Sequence, residues 1–238
     1  MNILLTNDDG INSDGIQKLA QKLSSNGKHR VFVIAPESNR SGISHAVSFF
    51  SGPLKISCLG ENNWSCSGYP ADCVIAAVNG ILPVVPDLVL SGINRGSNLG
   101  IDIIYSGTAA AARQASLFGI PAIALSLAGA APFCWDMAAS WTVDHLEEIL
   151  AYWKEHSFVN VNIPNGETYP SGITLASPSA KNHESSLSIM TAPDGTLFCF
   201  LEGDEHIRNP EPDSDYDVVY RRFVSVTPVY NHPMLMKE

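Results

Sequence analysis

Over the first 160 residues, short apolar runs alternate with segments in which apolar side chains recur at helical spacing. Turn residues bound each run, and the intervening segments are long enough to form helices. This alternation predicts β-α-β units around a mostly parallel sheet, which is an α/β fold class. Strands are predicted at residues 2–5, 31–35, 87–90 and 122–127, and helices at residues 15–24, 72–79, 109–118 and 137–156.

The pattern changes beyond about residue 160, where apolar positions alternate with polar ones or fall on β-branched residues. Glycine, proline and asparagine interrupt these segments, as is typical of strands joined by turns. We therefore expect one domain over residues 1–238, with a core over about 1–160 and a β-rich oligomerisation extension over about 161–238. Strands of the extension are predicted at residues 172–176, 186–191, 196–201 and 224–229.

Composition and charge narrow the classes of protein and partner. The 238 residues include 14 Lys and Arg against 24 Asp and Glu, a formal net charge of −10, and 45% are hydrophobic while only 16% are charged. Such a chain is too apolar for intrinsic disorder and too sparsely charged for a coiled coil. Polymeric nucleic acid and anionic membranes attract clustered basic residues, so neither is expected as the principal partner. A small anionic ligand is still compatible, because a bound divalent cation reverses the local charge.

Cysteine usage and the N-terminal sequence bear on the cellular compartment. The five cysteines are an odd number at irregular spacing without a CxxC pair, which favours reduced thiols over disulfides or a zinc site. The first residues lack the basic start and long apolar stretch of a secretory signal, and no segment approaches the roughly 18–20 apolar residues of a membrane span. We therefore expect a soluble cytoplasmic protein.

The first candidate site follows the first predicted strand, where the sequence is TNDDG. Ligands of doubly wound sheets bind beyond the carboxyl ends of the strands. The adjacent carboxylates of Asp8 and Asp9 repel each other unless a cation or strong donors neutralise them, and two hard oxygen ligands on a tight turn suit Mg²⁺, Mn²⁺ or Ca²⁺. The alternative is a turn or helix N-cap in which Asp8 or Asp9 accepts backbone N–H bonds.

Two further loops combine glycine with small polar residues. Residues 36–45 have the sequence PESNRSGISH, which offers donors to an anion but is also typical of an ordinary surface loop. Residues 91–100 have the sequence SGINRGSNLG, and YSGT at 105–108 precedes a run of alanines. Residues 106–108 open a helix whose first N–H groups form a ready phosphate site, although helix capping beside an Ω-loop would have the same composition.

These motifs, in this order and spacing, closely resemble the SurE family of nucleotidases. The resemblance continues with GYPADCV at 68–74, VNVNIP at 159–164 and VSVTP at 224–228, so it spans most of the chain. It implies a Rossmann-like three-layer core and a C-terminal arm that is exchanged between the subunits of a dimer. It also implies metal-dependent hydrolysis of nucleoside 5′- and 3′-monophosphates to nucleoside and phosphate, with attack by a metal-activated water.

The resemblance further implies roles for individual residues. Asp8, Asp9, Ser41 and Asn94 would bind one divalent metal ion per subunit, with Mg²⁺ or Mn²⁺ expected, and Asn98, Ser106, Gly107 and Thr108 would border the phosphate. Asp8 or Asp9 would also act as the catalytic carboxylate that orients or deprotonates the water. A covalent aspartyl-phosphate at Asp8 is the chemical alternative, although the DxD pairing typical of that route is missing. His45 is a candidate proton donor or phosphate contact.

Some positions depart from the family pattern, and other functions stay open. Tyr69 and Ala71 stand where threonine is expected, and Ala46 replaces a small hydroxyl residue, which bears on base preference. A non-catalytic nucleotide- or metal-binding module is one alternative function, and a broader phosphatase acting on short polyphosphate or sugar phosphates is another. Late aromatic residues are expected in the core or in the interface of a homodimer or tetramer; they are Phe198, Phe200, Phe223 and Tyr230.

Overall fold

The structure is a computed structural model that describes residues 1–25, 27–180, 184–204 and 211–233. The strands in these ranges are β1 (Asn2–Thr6), β2 (Arg30–Pro36), β3 (Ile56–Gly60), β4 (Asn63–Cys66), β5 (Leu88–Arg95), β6 (Ala122–Ala128), β7 (Ser157–Pro164), β8 (Ile173–Leu175), β9 (Glu184–Thr191), β10 (Leu197–Asp204) and β11 (Val224–Tyr230). The helices are α1 (Asp14–Ser25), α2 (Pro70–Ala76, continued by a wider turn at Ala77–Ile81), α3 (Asp102–Tyr105), α4 (Gly107–Leu117), α5 (Trp135–Asp144), α6 (Leu146–Leu150) and α7 (Asp215–Tyr220).

Nine of the described strands form one sheet in the order β3-β4-β2-β1-β5-β6-β7-β11-β8. The strands from β4 to β7 run parallel to their neighbours, while β3 pairs antiparallel with β4 and β11 pairs antiparallel with β7. Ile3 on β1 lies opposite Val31 on one side and Leu88 on the other, so the carboxyl ends of β1, β2 and β5 meet at one edge. The α/β class with a mostly parallel sheet is therefore confirmed.

Helices cover both faces of the sheet and bury a core against each. On β1, Ile3 and Leu5 pack with α1, α5 and α6, whereas Leu4 packs on the opposite face with α2 and α4. Successive side chains of a strand point to opposite faces, so a strand covered on both sides is apolar at nearly every position. This explains why the strands of the parallel core appear in the sequence as continuous apolar runs.

The prediction of one continuous helix at residues 137–156 is wrong: the helix is broken near its middle and ends at residue 150. The structure has α5 and α6 with a break at His145, whose φ of −111° lies outside the helical range, and the chain then enters β7. A ring nitrogen of His145 lies 2.8 Å from the carbonyl of Trp141, so the side chain competes for backbone groups at the break. The sequence pattern also missed β3 and β4, which are short and partly exposed at one edge of the sheet.

The C-terminal part of the chain divides between the main sheet and a separate ribbon. β11 and β8 extend the main sheet beyond β7, while β9 and β10 pair antiparallel as a two-stranded ribbon. Many apolar side chains of the ribbon are exposed, including Phe198 at 49% and Phe200 at 52%. Within the described ranges, no helix combines the length and apolar character needed to cross a bilayer.

Candidate active site

The side chain of Asn7, and not those of the two aspartates, closes the turn after β1. Asn7 Nδ2 donates to the Gly10 carbonyl at 2.9 Å and to Ser13 Oγ at 2.7 Å, and the Gly10 N–H donates to Asn7 Oδ1 at 3.2 Å. Gly10 has a φ of +98°, and a Cβ at this position would lie 3.1 Å from the backbone carbon of Ser38. Because Asn7 satisfies the turn, both neighbouring carboxylates are directed to other partners.

Asp8 meets the N-terminus of α4. Thr108 donates to it twice, from Oγ1 to Oδ1 at 2.6 Å and from the backbone N–H to Oδ2 at 3.1 Å, and Asp8 is only 3% exposed. A Cβ on Gly107 would lie 2.8 Å from Asp8 Cβ, so only glycine allows this approach. Ser106 caps α4 by accepting the Ala109 N–H at 3.0 Å. The predicted phosphate segment and the first aspartate therefore lie in direct contact.

Asp9 meets the carboxyl end of β5. The Arg95 N–H donates to Asp9 Oδ2 at 2.9 Å. The preceding residue, Asn94, is 9% exposed, and its Nδ2 donates to the Gly96 carbonyl at 3.0 Å. The amide nitrogen of Asn94 is therefore used within its own loop. The amide oxygen is the atom of this side chain that suits a cation.

The loop after β2 closes the other side of the aspartate pair. The Arg40 N–H donates to the Asp8 carbonyl at 2.7 Å, which ties the loop that carries Ser41 to the aspartate turn. Asn39 Oδ1 accepts hydrogen bonds from both the Ser41 N–H and Ser41 Oγ, each at 2.7 Å. The four predicted metal ligands thus come from three loops that backbone hydrogen bonds draw together.

Burial of the two adjacent carboxylates perturbs both acids. Burial raises the pKa of Asp8, the Thr108 hydroxyl lowers it, and the charge of Asp9 raises it again. Burial also raises the pKa of Asp9, against the N–H and the positive charge of Arg95. A carboxylate that is costly to ionise alone is stabilised by a nearby cation, so this pair is suited to binding one.

The donor set fits a hard divalent cation. It offers two carboxylates, an amide oxygen and a hydroxyl, all of which are oxygen ligands of the kind that Mg²⁺ and Mn²⁺ prefer. Across the ranges that the structure describes, no three His, Cys, Asp or Glu side chains come together as a metal cluster. The two carboxylates would therefore need the neutral oxygens of Asn94 and Ser41 to complete a cation site.

Polar side chains of β6 and β7 hold Asn98 in place through hydrogen bonds. Its N–H donates to Asn162 Oδ1 at 2.8 Å, and its carbonyl accepts from Asn160 Nδ2 at 2.8 Å and from Asn162 Nδ2 at 3.1 Å. Its own Nδ2 donates to Ser126 Oγ at 2.8 Å. An amide nitrogen carries two hydrogens, so Asn98 keeps one donor for a ligand.

The far end of the same loop is tied to α7. Asp215 Oδ2 accepts the Gly100 N–H at 2.8 Å, while Oδ1 accepts the N–H groups of Ser179 at 2.9 Å and Tyr216 at 2.8 Å. Gly100 has a φ of +55°, and a Cβ there would lie 2.3 Å from the Ser179 carbonyl oxygen. A buried carboxylate that accepts three backbone bonds therefore anchors the loop.

His45 is bonded to a side chain of α4, with its Nε2 3.0 Å from Oε1 of Gln114. The preceding residue, Ser44, donates its N–H to the carbonyl of Tyr105 at 2.8 Å, directly before the phosphate segment. Burial lowers the pKa of His45; the hydrogen bond to Gln114 raises it and the charge of Arg113 lowers it. The structure thus pairs the ring of this histidine with a glutamine side chain, and its role as a proton donor or phosphate contact stays a prediction.

The positions that depart from the family pattern lie around the start of α2. Asp72 accepts the Tyr69 N–H at 2.9 Å, along with the N–H and hydroxyl of Ser48. The Arg40 guanidinium carbon lies 5.7 Å from the centre of the Tyr69 ring. Ala71 is only 1% exposed, so its side chain is enclosed by protein and offers no surface to a base.

Comparison with known proteins places this geometry in a family. A family model described as Survival protein SurE matches residues 3–185. This chain belongs to the SurE family. A SurE relative from Thermosipho melanesiensis, named 5′-nucleotidase SurE, is 37% identical over 237 residues, covering 96% of this chain and 91% of the relative. One of the same name from Vibrio cholerae is 38% identical over 232 residues, with coverage of 96% and 91%.

A solved SurE structure has the same fold. The crystal structure of the SurE protein from Aquifex aeolicus superimposes with a TM-score of 0.86 at 36% identity, covering 98% of this chain and 95% of that one. The family membership that the motifs indicated is therefore confirmed, together with the fold class.

The sequence patterns did not indicate the residues that hold the loop of Asn98 and Gly100 in place. These residues are Ser126, Asn160, Asn162 and Asp215. Asn160 and Asn162 are fully buried and alternate with valines in β7. Buried amides require hydrogen-bond partners, so a VNVN segment within a strand indicates that its asparagines bind polar groups of another segment. Asp215 carries no such signal, because two of its three partners, Gly100 and Ser179, are distant in sequence.

We predict that Asn162→Ala lowers both the melting temperature of the protein and its rate of phosphate release from AMP. The change leaves the N–H of Asn98 without its acceptor, which costs about 1–3 kcal/mol for a buried group. Thermal unfolding and phosphate release from AMP measure the two effects. The matched control is Asn79→Ala, which also removes one amide-to-carbonyl bond but at an exposed site. Equal behaviour of the two variants would contradict a supporting role for Asn162.

Proposed function

We propose that this chain is a divalent-metal-dependent phosphomonoesterase that hydrolyses nucleoside 5′-monophosphates, and also 3′-monophosphates, to nucleoside and phosphate. The observation that carries the proposal is the contact of Asp8 with Thr108, which sets a buried carboxylate, next to that of Asp9, against the N-terminus of α4. Relatives named 5′-nucleotidase SurE, 37–38% identical to this chain over nearly its full length, support the substrate class.

The start of α4 supplies the groups that would bind the phosphate. Gly107 contributes an N–H at the first helical position, where N–H groups lie outside the intrahelical ladder and carry partial positive charge. The Ser106 hydroxyl accepts the Ala109 N–H, so its own hydrogen is directed elsewhere and can be donated to a phosphate oxygen. Together with the second hydrogen of Asn98 Nδ2, these donors would stabilise the equatorial oxygens as charge redistributes.

The two aspartates differ in the hydrogen bonds that they accept, and we assign them different roles. Both oxygens of Asp8 accept bonds from Thr108, and the side chain is buried, which suits a ligand that holds its geometry. Asp9 is more exposed and uses only Oδ2 for the Arg95 N–H, so Oδ1 can orient the attacking water. A covalent aspartyl-phosphate at Asp8 stays the chemical alternative to this assignment.

A cation held by Asp8, Asp9, Asn94 and Ser41 would supply Lewis acidity and lower the pKa of water at the site, which favours a nucleophile at neutral pH. The Asp9 carboxylate and the donors of α4 would orient that water and the phosphate in line. Two other functions are compatible with the same pocket. A non-catalytic module would bind the nucleotide without cleaving it, and a broader phosphatase would prefer polyphosphate or sugar phosphates.

We predict that the protein releases phosphate from AMP only with Mg²⁺ or Mn²⁺, and that Asp9→Asn lowers kcat by about 100-fold or more, as the loss of one preorganised catalytic group commonly does. EDTA should stop the reaction. Asp136→Asn, at an exposed ion pair with Lys18, is the matched control and should leave kcat unchanged. Phosphate release that survives EDTA contradicts the metal requirement. Nucleotide binding without release with any metal supports the non-catalytic module, and faster cleavage of polyphosphate or ribose 5-phosphate supports the broader phosphatase.

We also predict that the rise in melting temperature on adding Mn²⁺ fades as the pH falls. The pKa values of Asp8 and Asp9 are raised, so both carboxyls take up protons at a higher pH than ordinary carboxyls, and a protonated carboxyl does not bind the cation. Thermal unfolding with and without Mn²⁺ should show the stabilisation present at pH 7 and lost before about pH 4, where an unperturbed Asp titrates. Stabilisation that stays constant over this range would argue against these two ligands.

We further propose self-association, as a homodimer or tetramer, through the β9–β10 ribbon. Residues on both of its faces are apolar and exposed; they include Leu187, Ile189 and Leu201 on one face and Met190, Phe198 and Phe200 on the other. An isolated two-stranded ribbon is marginally stable in water, so exposed apolar faces favour a partner. A cytoplasmic location, and the exclusion of polymeric nucleic acid and membranes as principal partners, stay predictions of the sequence.

Leu201→Asp should therefore lower the mass of the protein in solution, as measured by multi-angle light scattering. Leu201 is 82% exposed within the chain, so a charge there should not disturb the fold of one subunit. Phe50→Asp, at a fully exposed aromatic residue outside the ribbon, is the control and should keep the mass of the wild type. An unchanged mass in Leu201→Asp would place the interface elsewhere.

A further inference from the structure

A cavity of about 400 Å³ opens beside Asp9, and none of its lining residues belongs to α4. Its wall includes Asp9, Asn39, Arg95, Phe133 and Trp135, so it adjoins the predicted metal ligands without containing the phosphate segment. This volume lies in the range of about 300–1,000 Å³ that small-ligand sites occupy. The cavity is thus placed to receive the part of a substrate that extends away from its phosphate.

The aromatic wall of this cavity is built from adjoining rings. Phe133 and Trp135 stack with ring centres 5.2 Å apart and planes inclined by 25°, and the Arg95 guanidinium carbon lies 5.4 Å from the centre of the Phe133 ring. The backbone N–H of the same arginine donates to Asp9. The rings are therefore linked to the catalytic carboxylate through a single residue.

Hydrogen bonds from Asn165 fix the segment that carries these rings. Asn165 Oδ1 accepts the Cys134 N–H at 2.9 Å, and its Nδ2 donates to the carbonyls of Ala130 and Pro132 at 2.8 and 2.9 Å. Trp135 also packs closely over Gly15, where a Cβ would lie 3.1 Å from the indole ring. Groups that are already ordered lose little entropy on binding, so this wall is preorganised for a planar ligand.

The charges around the cavity select among planar ligands. Asp9 and Asp14 both line it, with only Arg95 as a positive side chain among its lining residues, so a second phosphate group would be repelled. Asn39 Oδ1 is occupied by Ser41, which leaves the amide NH₂ of Asn39 as a donor at the rim. A neutral heteroaromatic ring with acceptors at its edge satisfies both conditions.

We propose that this cavity is the nucleobase subsite, with Phe133 and Trp135 as its stacking surface and Asn39 as an edge donor. The proposal rests on the proposed function, because it assumes that the phosphate lies at α4. It places the base beside Trp135 instead of beside Ala71, which is buried. Base–aromatic stacking depends on the area of the ring, so purines should benefit more than pyrimidines.

The first experiment measures base contact without any chemistry. Saturation-transfer NMR with adenosine, which has no phosphate, should show the strongest transfer at the base protons, and free ribose should show little. Trp135→Leu and Phe133→Leu should reduce the transfer to the base, while Phe50→Leu, at an exposed aromatic residue outside the cavity, should not. Thermal unfolding of each variant verifies its fold. Transfer that persists in both folded cavity variants overturns the proposal.

The second experiment measures specificity. Phe133→Leu and Trp135→Leu should lower the ratio of kcat/KM for AMP to kcat/KM for ribose 5-phosphate by about 10- to 100-fold, mainly through KM, as expected for the loss of one stacking contact. An unchanged ratio overturns the subsite. If the wild type binds adenosine through these residues but cleaves neither substrate, the subsite stands and the proposed function fails. If it cleaves both but does not bind adenosine here, only the subsite fails.

Discussion

The contact between Asp8 and the first turn of α4 is the constraint on which the site depends. A carboxylate that is 3% exposed must find donors, and both come from Thr108, 100 residues away in sequence. The contact requires α4 to approach the end of β1 closely, which glycine at residue 107 permits. Alanines along the buried side of α4 continue that close approach against the sheet and α2. The small-residue run and the acidic turn are therefore two halves of one packing arrangement.

Hydrogen bonds to the backbone, rather than contacts among the functional side chains, assemble the rest of the site. The N–H groups of Arg40 and Arg95 bind the aspartate turn, and Asn160 and Asn162 bind the loop at Asn98. Each such bond fixes the path of a loop, and the side chains that face a ligand follow from that path. This division lets the facing side chains keep donors and acceptors for a substrate.

The parallel core and the main segments of the candidate site could be predicted from the sequence, because the patterns that indicate them are local. The apolar run of β1, the DDG turn and the SGT start of α4 are each contained in a few residues. The break at His145, by contrast, results from a side chain competing with the helix, which apolar periodicity does not detect. The partners of Asn98 are 28 to 64 residues away, and that of Gly100 is 115 residues away. Only the strand order of the sheet and the return of the chain to α7 bring such residues together, and the motifs contain neither.

The anchoring of Gly100 by Asp215 also describes how the ribbon is attached. The chain departs toward β9 just after Ser179 and returns from β10 just before Asp215, and the carboxylate of Asp215 binds the N–H at the point of departure. Ser177 and Ser214 form a parallel bridge beside it, so the two ends of the segment lie side by side. The ribbon is thus a modular insertion with a closed base. A shorter chain joined across that base would keep the bonds of Asp215 to Gly100 and Ser179, so the length of the ribbon can change without altering how the loop is anchored.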